Sequence, residues 1–392
     1  MAPDVPQLRI PQMTEIRRLL SDLVSLPSVN PMGRPLHGPE IGEHQVTAYL
    51  EQFFSHLSIP SERQAVAPGR DNIVARCDLS GETRTVLLEA HQDTVPTDRM
   101  IIDPFGATVE NGRLYGRGAC DVKGGMAAML WAFARIARDK PTGAANVIMA
   151  CTVDEEFGML GVRELVRRGL RADMAVVAEP TRLQIVNTHK GAVRWSLTAQ
   201  GRSCHSSAPE QGINAIYRMA GLLVAIEQYA EWLRTSPADA RLGPPTLNVG
   251  RIEGGLSVNT VPDSCRIEID RRLLPGEDPR NALEQFIAYL KKGTSGVAFE
   301  CSQPWPAMLA LSADGSAEPA ARLGAAVDDV LGSHGVTAVP YGTDASTIAS
   351  VGVPTVVFGP GDVAHAHTAD EWVSIDEVEQ AGEILYRLVA SG

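Results

Sequence analysis

An apolar run that ends in three consecutive carboxylates constrains the fold of this chain most strongly. Residues 146–151 are rich in Val, Ile and other apolar side chains, which predicts a strand buried on both faces. Asp154, Glu155 and Glu156 follow almost directly. Adjacent negative charges at the edge of a core are costly unless a cation neutralises them. An acidic turn before a helix N-terminus would explain this segment taken alone.

Other predicted strands end in the same way, which favours a shared site over isolated turns. Three more apolar runs lead into ionisable residues: residues 85–90 before His91, 175–178 before Glu179, and 355–358 before His367. Asp121 lies in a glycine-rich turn before a helix predicted over residues 126–137, where a helix cap is the ordinary explanation. In open α/β sheets, sites are assembled at the carboxyl edge of the strands. Two histidines and several carboxylates at such an edge predict bound cations.

Asp93 is predicted to orient His91. It follows His91 by two positions, where strand alternation returns its side chain to the same side. A lone histidine at a strand end is ordinarily a structural residue, but a carboxylate beside it favours a metal ligand. Such a carboxylate accepts the distal N–H of a metal-binding imidazole and fixes its tautomer.

The segment between Glu179 and His367 has a pattern of its own. Its predicted elements are a strand at 193–199, a helix at 214–232, strands at 246–252 and 265–269, a helix at 279–291 and a strand at 297–301. This βαββαβ order is that of a ferredoxin-like unit. Because predicted ligands lie on both sides of it, we expect an insertion over residues 187–306 in a catalytic domain formed by residues 1–186 and 307–392. The fold class is α/β, a mixed-sheet catalytic domain with an inserted α+β domain.

Composition and charge exclude several classes of partner. A chain of 392 residues suits two or three domains, and its net charge of −12 argues against nucleic acid or an anionic membrane. The six cysteines are scattered without paired spacing, which indicates reduced thiols in a cytoplasmic protein. We see no apolar signal sequence and no long uncharged apolar stretch.

The predicted ligands suggest a specific chemistry. A dinuclear site needs a ligand that bridges two ions, and Asp121 is assigned this role. The remaining ligands are His91 and Glu179 on one ion, and Glu156 and His367 on the other. Three protein ligands per ion leave room for a bridging water whose pKa falls toward neutrality. Glu155, beside a ligand but not one itself, would take the proton and deliver it to a leaving amine, which predicts amide hydrolysis.

Five ordered motifs resemble those of the dinuclear zinc amidohydrolase and exopeptidase family, which includes acetylornithine deacetylase, succinyl-diaminopimelate desuccinylase, aminoacylase-1 and the glutamate carboxypeptidases. They are His91-x-Asp93, residues 118–125 around Asp121, Glu155–Glu156, Glu179-Pro180-Thr181 and residues 366–371 around His367. The resemblance covers nearly the whole chain. It implies a zinc-exopeptidase-like catalytic domain with two divalent ions, Zn²⁺ with Co²⁺ or Mn²⁺ as alternatives. It also implies a cis peptide after Asp121.

The same resemblance implies roles for the inserted domain as a lid and as the dimerisation surface of a homodimer. Residues 201–209 resemble the family's lid motif, in which His205 polarises the scissile carbonyl of the neighbouring subunit's substrate. Arg272 resembles the clamp on the substrate α-carboxylate. Asn259, Gly342 and Thr343 fall where relatives contact the same end of the substrate. From the residues alone, His205 would be a surface histidine and Arg272 an exposed strand charge.

The expected function is metal-dependent hydrolysis of N-acyl amino acids, of the acetylornithine deacetylase or succinyl-diaminopimelate desuccinylase type. Glu179-Pro180-Thr181 and residues 341–345 favour this branch. One alternative is a metallo-carboxypeptidase or dipeptidase acting on short peptides, and another is a non-catalytic amino-acid binder. The intact ligand set with Glu155 counts against the binder. Phe157 and Met159 stand where relatives often carry small or polar residues, so the motifs leave the acyl group open.

Overall fold

The computed structural model describes residues 15–79, 81–294 and 296–391, which divide into two compact units. The first unit covers the described residues up to Thr188, then Ala313–Thr337 and the residues from Thr343 onwards. The second unit covers His189–Ser312 and Ala338–Gly342. The short return of the chain to the second unit at 338–342 has no counterpart in the predicted insertion over 187–306. Residues 1–14 of the predicted catalytic domain lie outside the described residues.

Strands in the described part of the chain belong to three sheets. In chain order they are β1 (Ser61–Ala67), β2 (Arg70–Cys77), β3 (Thr85–His91), β4 (Thr108–Glu110), β5 (Arg113–Tyr115), β6 (Asn146–Thr152), β7 (Met174–Val177), β8 (Ile185–His189), β9 (Gly191–Gln200), β10 (Thr246–Gly254), β11 (Ser264–Leu273), β12 (Phe299–Cys301), β13 (Ala307–Met308), β14 (Val336–Val339), β15 (Thr355–Val357) and β16 (Trp372–Ser374). The largest sheet has the order β1-β2-β6-β3-β7-β15-β8-β14.

The centre of this sheet consists of apolar strands buried on both faces. Every residue of β3, β6 and β7 is buried, as the runs of Val, Ile, Leu and Ala predict. β3 runs parallel to both β6 and β7, and His91 lies opposite Thr152 in the register. The outer pair β1–β2 is antiparallel, so the sheet is mixed and the predicted fold class is confirmed.

Among the described residues, helices pack against the large sheet of the first unit and against the sheet of the second unit. They are α1 (Ile16–Ser25), α2 (His44–His56), α3 (Gly124–Asp139), α4 (Leu160–Arg167), α5 (Ala215–Arg234), α6 (Pro279–Gly293), α7 (Ala317–Leu331), α8 (Ala345–Ala349) and α9 (Ile375–Ala390). Helix α3 is buried along most of its length and packs on α1 and α9. None of the helices described has the length and apolar composition needed to cross a bilayer.

Two glycines let the first turn of α3 approach the sheet closely. A Cβ on Gly124 would lie 2.7 Å from the carbonyl oxygen of Ala119, and a Cβ on Gly125 would lie 2.8 Å from Cβ of Ala178. Neither position tolerates a side chain without a shift of its neighbour. Gly125 therefore lets the start of α3 lie against Ala178, which follows β7, and Gly124 lets it lie against the turn that contains Asp121.

The second unit contains a ferredoxin-like arrangement. Its described strands pair in the order β10-β11-β9-β12, with β13 also on β9, and all of these pairs are antiparallel. With α5 after β9 and α6 after β11, the predicted βαββαβ order is confirmed. The core of this unit includes the aromatic residues Trp195, Tyr229 and Phe286. The distance between ring centroids is 5.1 Å for Trp195–Phe286 and 5.5 Å for Tyr229–Phe286, which is the range of favourable aromatic contacts.

Candidate metal centre and active site

The first predicted ligand lies at the carboxyl end of β3. His91 is the last residue of that strand and is 3% exposed. Because β3 is parallel to β6 and β7, the segments that follow these strands begin at one edge of the sheet. Glu155 and Glu156 follow β6, and Glu179 follows β7. The parallel register therefore brings four predicted site residues to one edge.

Asp121 lies in the turn before α3 and is held there by Glu371. The backbone N–H groups of Cys120 and Asp121 donate to Oε1 of Glu371 at 2.9 and 3.0 Å. Arg117 donates through Nη1 to Oε2 of Glu371 at 2.5 Å, and both side chains are buried. The Asp121–Val122 peptide is cis, which confirms the expectation from the family resemblance. Glu371 thus fixes the backbone that carries the Asp121 carboxylate.

The Asp121 carboxylate faces both histidines predicted as ligands. Its Oδ1 lies 3.1 Å from Nε2 of His91, and its Oδ2 lies 3.2 Å from Nε2 of His367. Nε2 of His367 also lies 3.1 Å from Oε1 of Glu156. His367 adopts a left-handed backbone conformation, with φ of 60°, and its side chain is half exposed. A carboxylate with one oxygen near each imidazole has the arrangement that a bridging ligand requires.

The segment after His367 is anchored by aromatic and cation–π contacts. β16 pairs with β5, and β5 pairs with β4, to form a small antiparallel sheet. The ring of Trp372 in β16 packs against His365 with centroids 4.2 Å apart, and the Arg113 guanidinium lies 3.8 Å from the Trp372 ring centroid. These contacts hold both ends of the short loop that presents His367.

The donor atoms fit a divalent cation. One ligand atom from each of His91, Asp121 and Glu156 lies within 4.8 Å of the other two. Nitrogen and oxygen ligands of a tetrahedral ion at about 2.0–2.2 Å lie about 3.4 Å from one another. The contacts of 3.1 and 3.2 Å among the imidazole and carboxylate atoms are close to this separation. Glu179 is buried beside this group, near enough for Asp121 and His91 to influence its pKa.

The electrostatics of the cluster also call for added positive charge. Burial raises the pKa of Glu155 and of Glu179 well above the usual carboxyl range, and neighbouring carboxylates raise both further. Burial alone would lower the pKa of His367, but its hydrogen bonds to Asp121 and Glu156 raise it to about 11. Without a further cation, such a cluster holds protons to relieve its negative charge. Divalent ions would replace those protons, as metal binding to His and carboxylate ligands requires.

The contacts of Asp93 differ from those predicted from the sequence. Nδ1 of His91 lies 2.9 Å from the backbone carbonyl oxygen of Asp93 and 3.7 Å from its carboxylate Oδ1. A carbonyl only accepts, so Nδ1 of the ring donates, and Nε2 is left to face Asp121. The Asp93 carboxylate instead accepts the backbone N–H groups of Glu155 at 3.1 Å and Glu156 at 3.2 Å. Strand β3 ends at His91, so the alternation of side chains along the strand does not extend to Asp93.

Glu155 lies beside the ligand cluster but differs from Glu156 in its contacts. Its carboxylate is near enough to His91, Glu156 and Asp121 for their charges to shift its pKa. Within residues 15–79, 81–294 and 296–391, no side chain forms a hydrogen bond with the Glu155 carboxylate, whereas Glu156 contacts His367. An oxygen without a hydrogen-bond partner beside the cluster is available to accept a proton.

Sequence reasoning missed several buried polar residues that surround these ligands. Oγ1 of Thr152 donates to Oε1 of Glu89 at 2.6 Å and lies 3.2 Å from Oδ2 of Asp344, and both acidic side chains are buried. Nζ of Lys123 is fully buried and donates to the carbonyl oxygen of Leu26 at 2.6 Å. The sequence gives one indication of such a buried polar residue, which is a charged residue inside an otherwise apolar segment, as Glu89 is in β3.

His205 lies in the second unit, in a turn after β9. Its Nδ1 accepts the backbone N–H of Ser207 at 3.2 Å and lies 2.7 Å from the Ser207 hydroxyl. Because Nδ1 accepts, the proton of the neutral ring is on Nε2, which suits a donor to a carbonyl oxygen. The N–H of Ser206 donates to the carbonyl oxygen of Asn259 at 3.0 Å, which joins the segments that carry His205 and Asn259.

Arg272 lies near the end of β11, and Asp270 orients its guanidinium. Nε of Arg272 donates to Oδ1 of Asp270 at 2.7 Å, and Nε of Arg194 donates to Oδ2 of the same residue at 2.9 Å. Asp270 is thus shared by two arginines. The remaining Arg272 nitrogens are those that could form a two-point contact with a carboxylate.

Gly342 and Thr343 have different local environments. A Cβ on Gly342 would collide with Sδ of Met308, so the chain passes too closely there for any side chain. Thr343 is fully buried, and its hydroxyl accepts the N–H of Ala345 at 3.1 Å at the start of α8. The Thr343 side chain is therefore turned toward its own helix.

Comparison with known proteins identifies the family. Residues 87–391 match peptidase family M20/M25/M40. Acetylornithine deacetylase from Myxococcus xanthus is 34% identical over 328 residues, covering 81% of this chain and 83% of the relative. Acetylornithine deacetylase from Vibrio campbellii is 31% identical over 392 residues, covering 97% of this chain and 98% of the relative.

A solved structure shares the fold. The M20 family metallo-carboxypeptidase Sso-CP2 from Sulfolobus solfataricus superposes with a TM-score of 0.78 at 21% identity, covering 96% of this chain and 98% of that one. The matched family, the relatives above 30% identity and the cluster of histidines and carboxylates lead to the same class of enzyme. The chain belongs to peptidase family M20/M25/M40 and is a metal-dependent hydrolase of amide bonds.

Proposed function

We propose that this enzyme hydrolyses N-acyl amino acids with two divalent ions bound at the carboxyl edge of the large sheet. The observation that supports this most strongly is the Asp121 carboxylate, which has one oxygen near His91 and the other near His367. In this proposal His91 and Glu179 would hold one ion, Glu156 and His367 would hold the other, and Asp121 would be a ligand of both. Zn²⁺ is the ion that imidazole and carboxylate ligands favour, with Co²⁺ or Mn²⁺ as alternatives.

The bound ions would supply Lewis-acid chemistry, polarising the amide carbonyl and lowering the pKa of the attacking water. Glu155 takes a proton from this water as the water oxygen forms a bond to the amide carbon. The same carboxyl gives the proton to the amide nitrogen as the C–N bond breaks, which releases a carboxylic acid and an amine. The proton of the acid then passes to the amine, so the final products are a carboxylate and an ammonium group. The position of the Glu155 carboxylate supports this role, because it lies beside His91, Asp121 and Glu156 without being a proposed ligand itself.

The substrate contacts that we propose come from residues of the second unit together with Thr343. His205 would donate its Nε2–H to the amide carbonyl oxygen of substrate bound to a neighbouring subunit. Arg272 would bind the α-carboxylate, and Asn259, Gly342 and Thr343 would contact the same end of the substrate. The relatives named acetylornithine deacetylase favour an N-acetyl amino acid over a peptide, with an N-succinyl amino acid as the nearest alternative.

We also propose a cytoplasmic homodimer that forms through the second unit. Tyr217 and Val224 on α5 are 78% and 57% exposed, and Ile252 on β10 is 54% exposed. β10 is an edge strand of its sheet in the described chain. Exposed apolar side chains beside an open sheet edge are typical of an interface with another chain. The cysteines of the structure are all free thiols, which agrees with a reducing compartment.

A substrate panel tests the proposed function. The full chain is loaded with Zn²⁺ or Co²⁺ and assayed on N-acetylornithine, N-succinyl-diaminopimelate and dipeptides, with release of the primary amine as the readout. We expect turnover of the N-acyl amino acids. Turnover of peptides alone would identify a carboxypeptidase or dipeptidase, and two bound ions without any turnover would identify a non-catalytic binder.

A further inference from the structure

The turn that carries Glu155 and Glu156 is in contact with charged residues that have no role in the proposed reaction. Arg70, the first residue of β2, donates to Glu43 through Nε at 2.8 Å and also through Nη2. Nη1 of Arg70 donates to Oδ1 of Asp154 at 2.7 Å. The Glu43 and Asp154 side chains are 0% and 3% exposed, and that of Arg70 is 16% exposed. One guanidinium therefore joins two buried carboxylates from distant segments of the chain.

Asp154 connects this charged group to the turn. Its backbone is left-handed, with φ of 67°, a conformation that non-glycine residues adopt at a cost. Its N–H donates to Oε1 of Glu43 at 3.3 Å, and Asn30 donates to its Oδ1 at 3.0 Å. A side chain on Gly158 would collide with the Asp154 carboxylate, so the chain closes tightly around it. These contacts hold the conformation from which the next two residues project.

A second connection reaches the same turn through Asp93. Nδ2 of Asn30 donates to Oδ2 of Asp93 at 2.8 Å. Asp93 in turn accepts the N–H groups of Glu155 and Glu156. Asn30 therefore contacts both Asp93 and Asp154, and the turn is held from two sides. Arg70 supplies positive charge to a group in which Glu43, Asp93 and Asp154 are all buried.

We propose that Arg70 is a positioning residue that directs the Glu155 and Glu156 carboxylates into the metal centre by holding Asp154 and Glu43 in place. This inference rests on the proposed roles of Glu155 and Glu156. The planar guanidinium contacts two carboxylates at once, which a lysine ammonium on a flexible stem does less well. Without Arg70, buried carboxylates would be left uncompensated and the left-handed turn would relax.

Arg70→Met tests this proposal in the full chain, with two readouts. Metal-free protein is titrated with Co²⁺, followed by visible absorption and calorimetry, and kcat and KM are measured on the best N-acyl amino acid. Because Glu156 would hold one ion, we expect one of two Co²⁺ equivalents to bind about 10–100-fold more weakly, as for outer-shell substitutions in metal sites. We expect kcat to fall by a similar factor with little change in KM. Arg70→Lys should be intermediate.

Two further variants separate positioning from general stability. Arg63→Met removes an arginine from the neighbouring strand β1 that pairs with Glu51 at the surface, with side chains 39% and 48% exposed. It should bind both Co²⁺ equivalents and keep the wild-type kcat. Arg70→Met/Glu43→Gln removes one charge of each sign from the buried group, so it should melt at a higher temperature than Arg70→Met. It should still show the weakened Co²⁺ site, because the Arg70–Asp154 contact remains absent.

Wild-type Co²⁺ binding and kcat in folded Arg70→Met, or in the double variant, would overturn the proposal. Failure of Arg70→Met, Arg70→Lys and the double variant to fold would also overturn it, since Arg70 would then serve stability alone. The Co²⁺ titration uses no substrate. A wild-type protein that binds two ions but hydrolyses no N-acyl amino acid would contradict the proposed function, and the titration would still decide the role of Arg70.

Discussion

Glu155 and Glu156 show how two adjacent identical side chains acquire different chemistry. The backbone N–H of each donates to the Asp93 carboxylate, so a single acceptor sets the path of both residues. Glu156 then reaches His367, while the Glu155 carboxylate lies beside the cluster without a side-chain partner among the described residues. Burial and neighbouring negative charge raise the pKa of both. We assign proton transfer to Glu155 and metal binding to Glu156 from this difference in partners.

Replacement of Glu155 by Gln should separate metal binding from turnover. The amide cannot accept a proton from water, so we expect kcat to fall by about 10²–10⁴-fold, the usual contribution of general acid–base catalysis. The variant should still bind two ions, because Glu155 is not a proposed ligand. Metal content is measured by atomic emission on the same sample that is assayed.

Glu62→Gln is a suitable control for this variant, because Glu62 lies on β1 with a side chain 60% exposed. It should behave as wild type in both measurements. Full activity of Glu155→Gln would remove Glu155 as the base, and loss of one ion would indicate that it is a ligand instead.

Metal binding should release protons at neutral pH. Hydrogen bonds to Asp121 and Glu156 outweigh the lowering effect of burial and raise the pKa of His367 to about 11, so this imidazole holds a proton in the metal-free protein at neutral pH. The ions bind the deprotonated forms, so the apparent affinity should rise as pH rises. Calorimetry at one pH in buffers of different ionisation enthalpy gives the number of protons released. A heat of binding that does not depend on the buffer would contradict the assignment of these ligands.

At the scale of elements, the carboxyl edge of the parallel strands was the most predictable part of the site. β3, β6 and β7 are short apolar runs, and each leads directly into a predicted ligand. β1 could not be predicted in this way, because its residues are mostly polar, only Gln64 among them is buried, and its position depends on pairing with β2. The C-terminal helix α9 carries an apolar stripe that packs on α3.

The contacts between elements were the least predictable. Arg70 lies at the partly buried start of β2, and its partners are Glu43, the residue before α2, and Asp154, which follows β6. The partner of the His91 ring in the structure is the carbonyl oxygen of Asp93, a contact that the strand pattern could not indicate because the chain beyond β3 leaves the strand. No local pattern of residues encodes a partner more than 80 positions away, as the pair Arg70–Asp154 requires.

The buried ion pair of Arg117 and Glu371 joins the turn before α3 to the loop after His367. Loss of this ion pair should destabilise the first unit. Glu371→Gln leaves the Arg117 charge buried without a counter-ion. We expect the free energy of unfolding to fall by about 3–5 kcal/mol, as when one partner of a buried ion pair is removed. Denaturant titration of the metal-free protein measures this change.

A surface pair provides the comparison. Glu379→Gln breaks the contact between Glu379 and Arg17, whose side chains are 40% and 64% exposed, respectively. This substitution should lower the free energy of unfolding by less than about 1 kcal/mol. Equal losses in the two variants would show that Glu371 has no special part in holding the turn.

At the scale of the whole molecule, the chain combines a metal-binding unit with an inserted unit that contributes a second set of predicted site residues. The order of motifs along the sequence led to the expectation of an insertion, because predicted ligands precede and follow the βαββαβ segment. The boundaries were less predictable. Residues 338–342 return to the second unit, and β14 is too short and too exposed for its pattern to indicate this.

The proposed dimer leads to a prediction about exposed apolar residues of α5. Tyr217→Glu/Val224→Glu places two charges on this surface, so the variant should shift from dimer to monomer. Size-exclusion chromatography with light scattering measures the mass. Val109→Glu, at an exposed apolar position of β4 in the first unit that is 59% exposed, should leave the mass unchanged. A monomeric wild-type protein would contradict the proposal.

The most direct test of the proposed metal centre is anomalous diffraction from crystals of the zinc-loaded enzyme, collected on both sides of the zinc absorption edge. A dinuclear centre predicts two anomalous peaks about 3.5–4 Å apart. Asp121 should lie between them, with His91 beside one peak and His367 beside the other. A single peak, or two peaks that do not share Asp121, would contradict a dinuclear centre at this edge of the sheet.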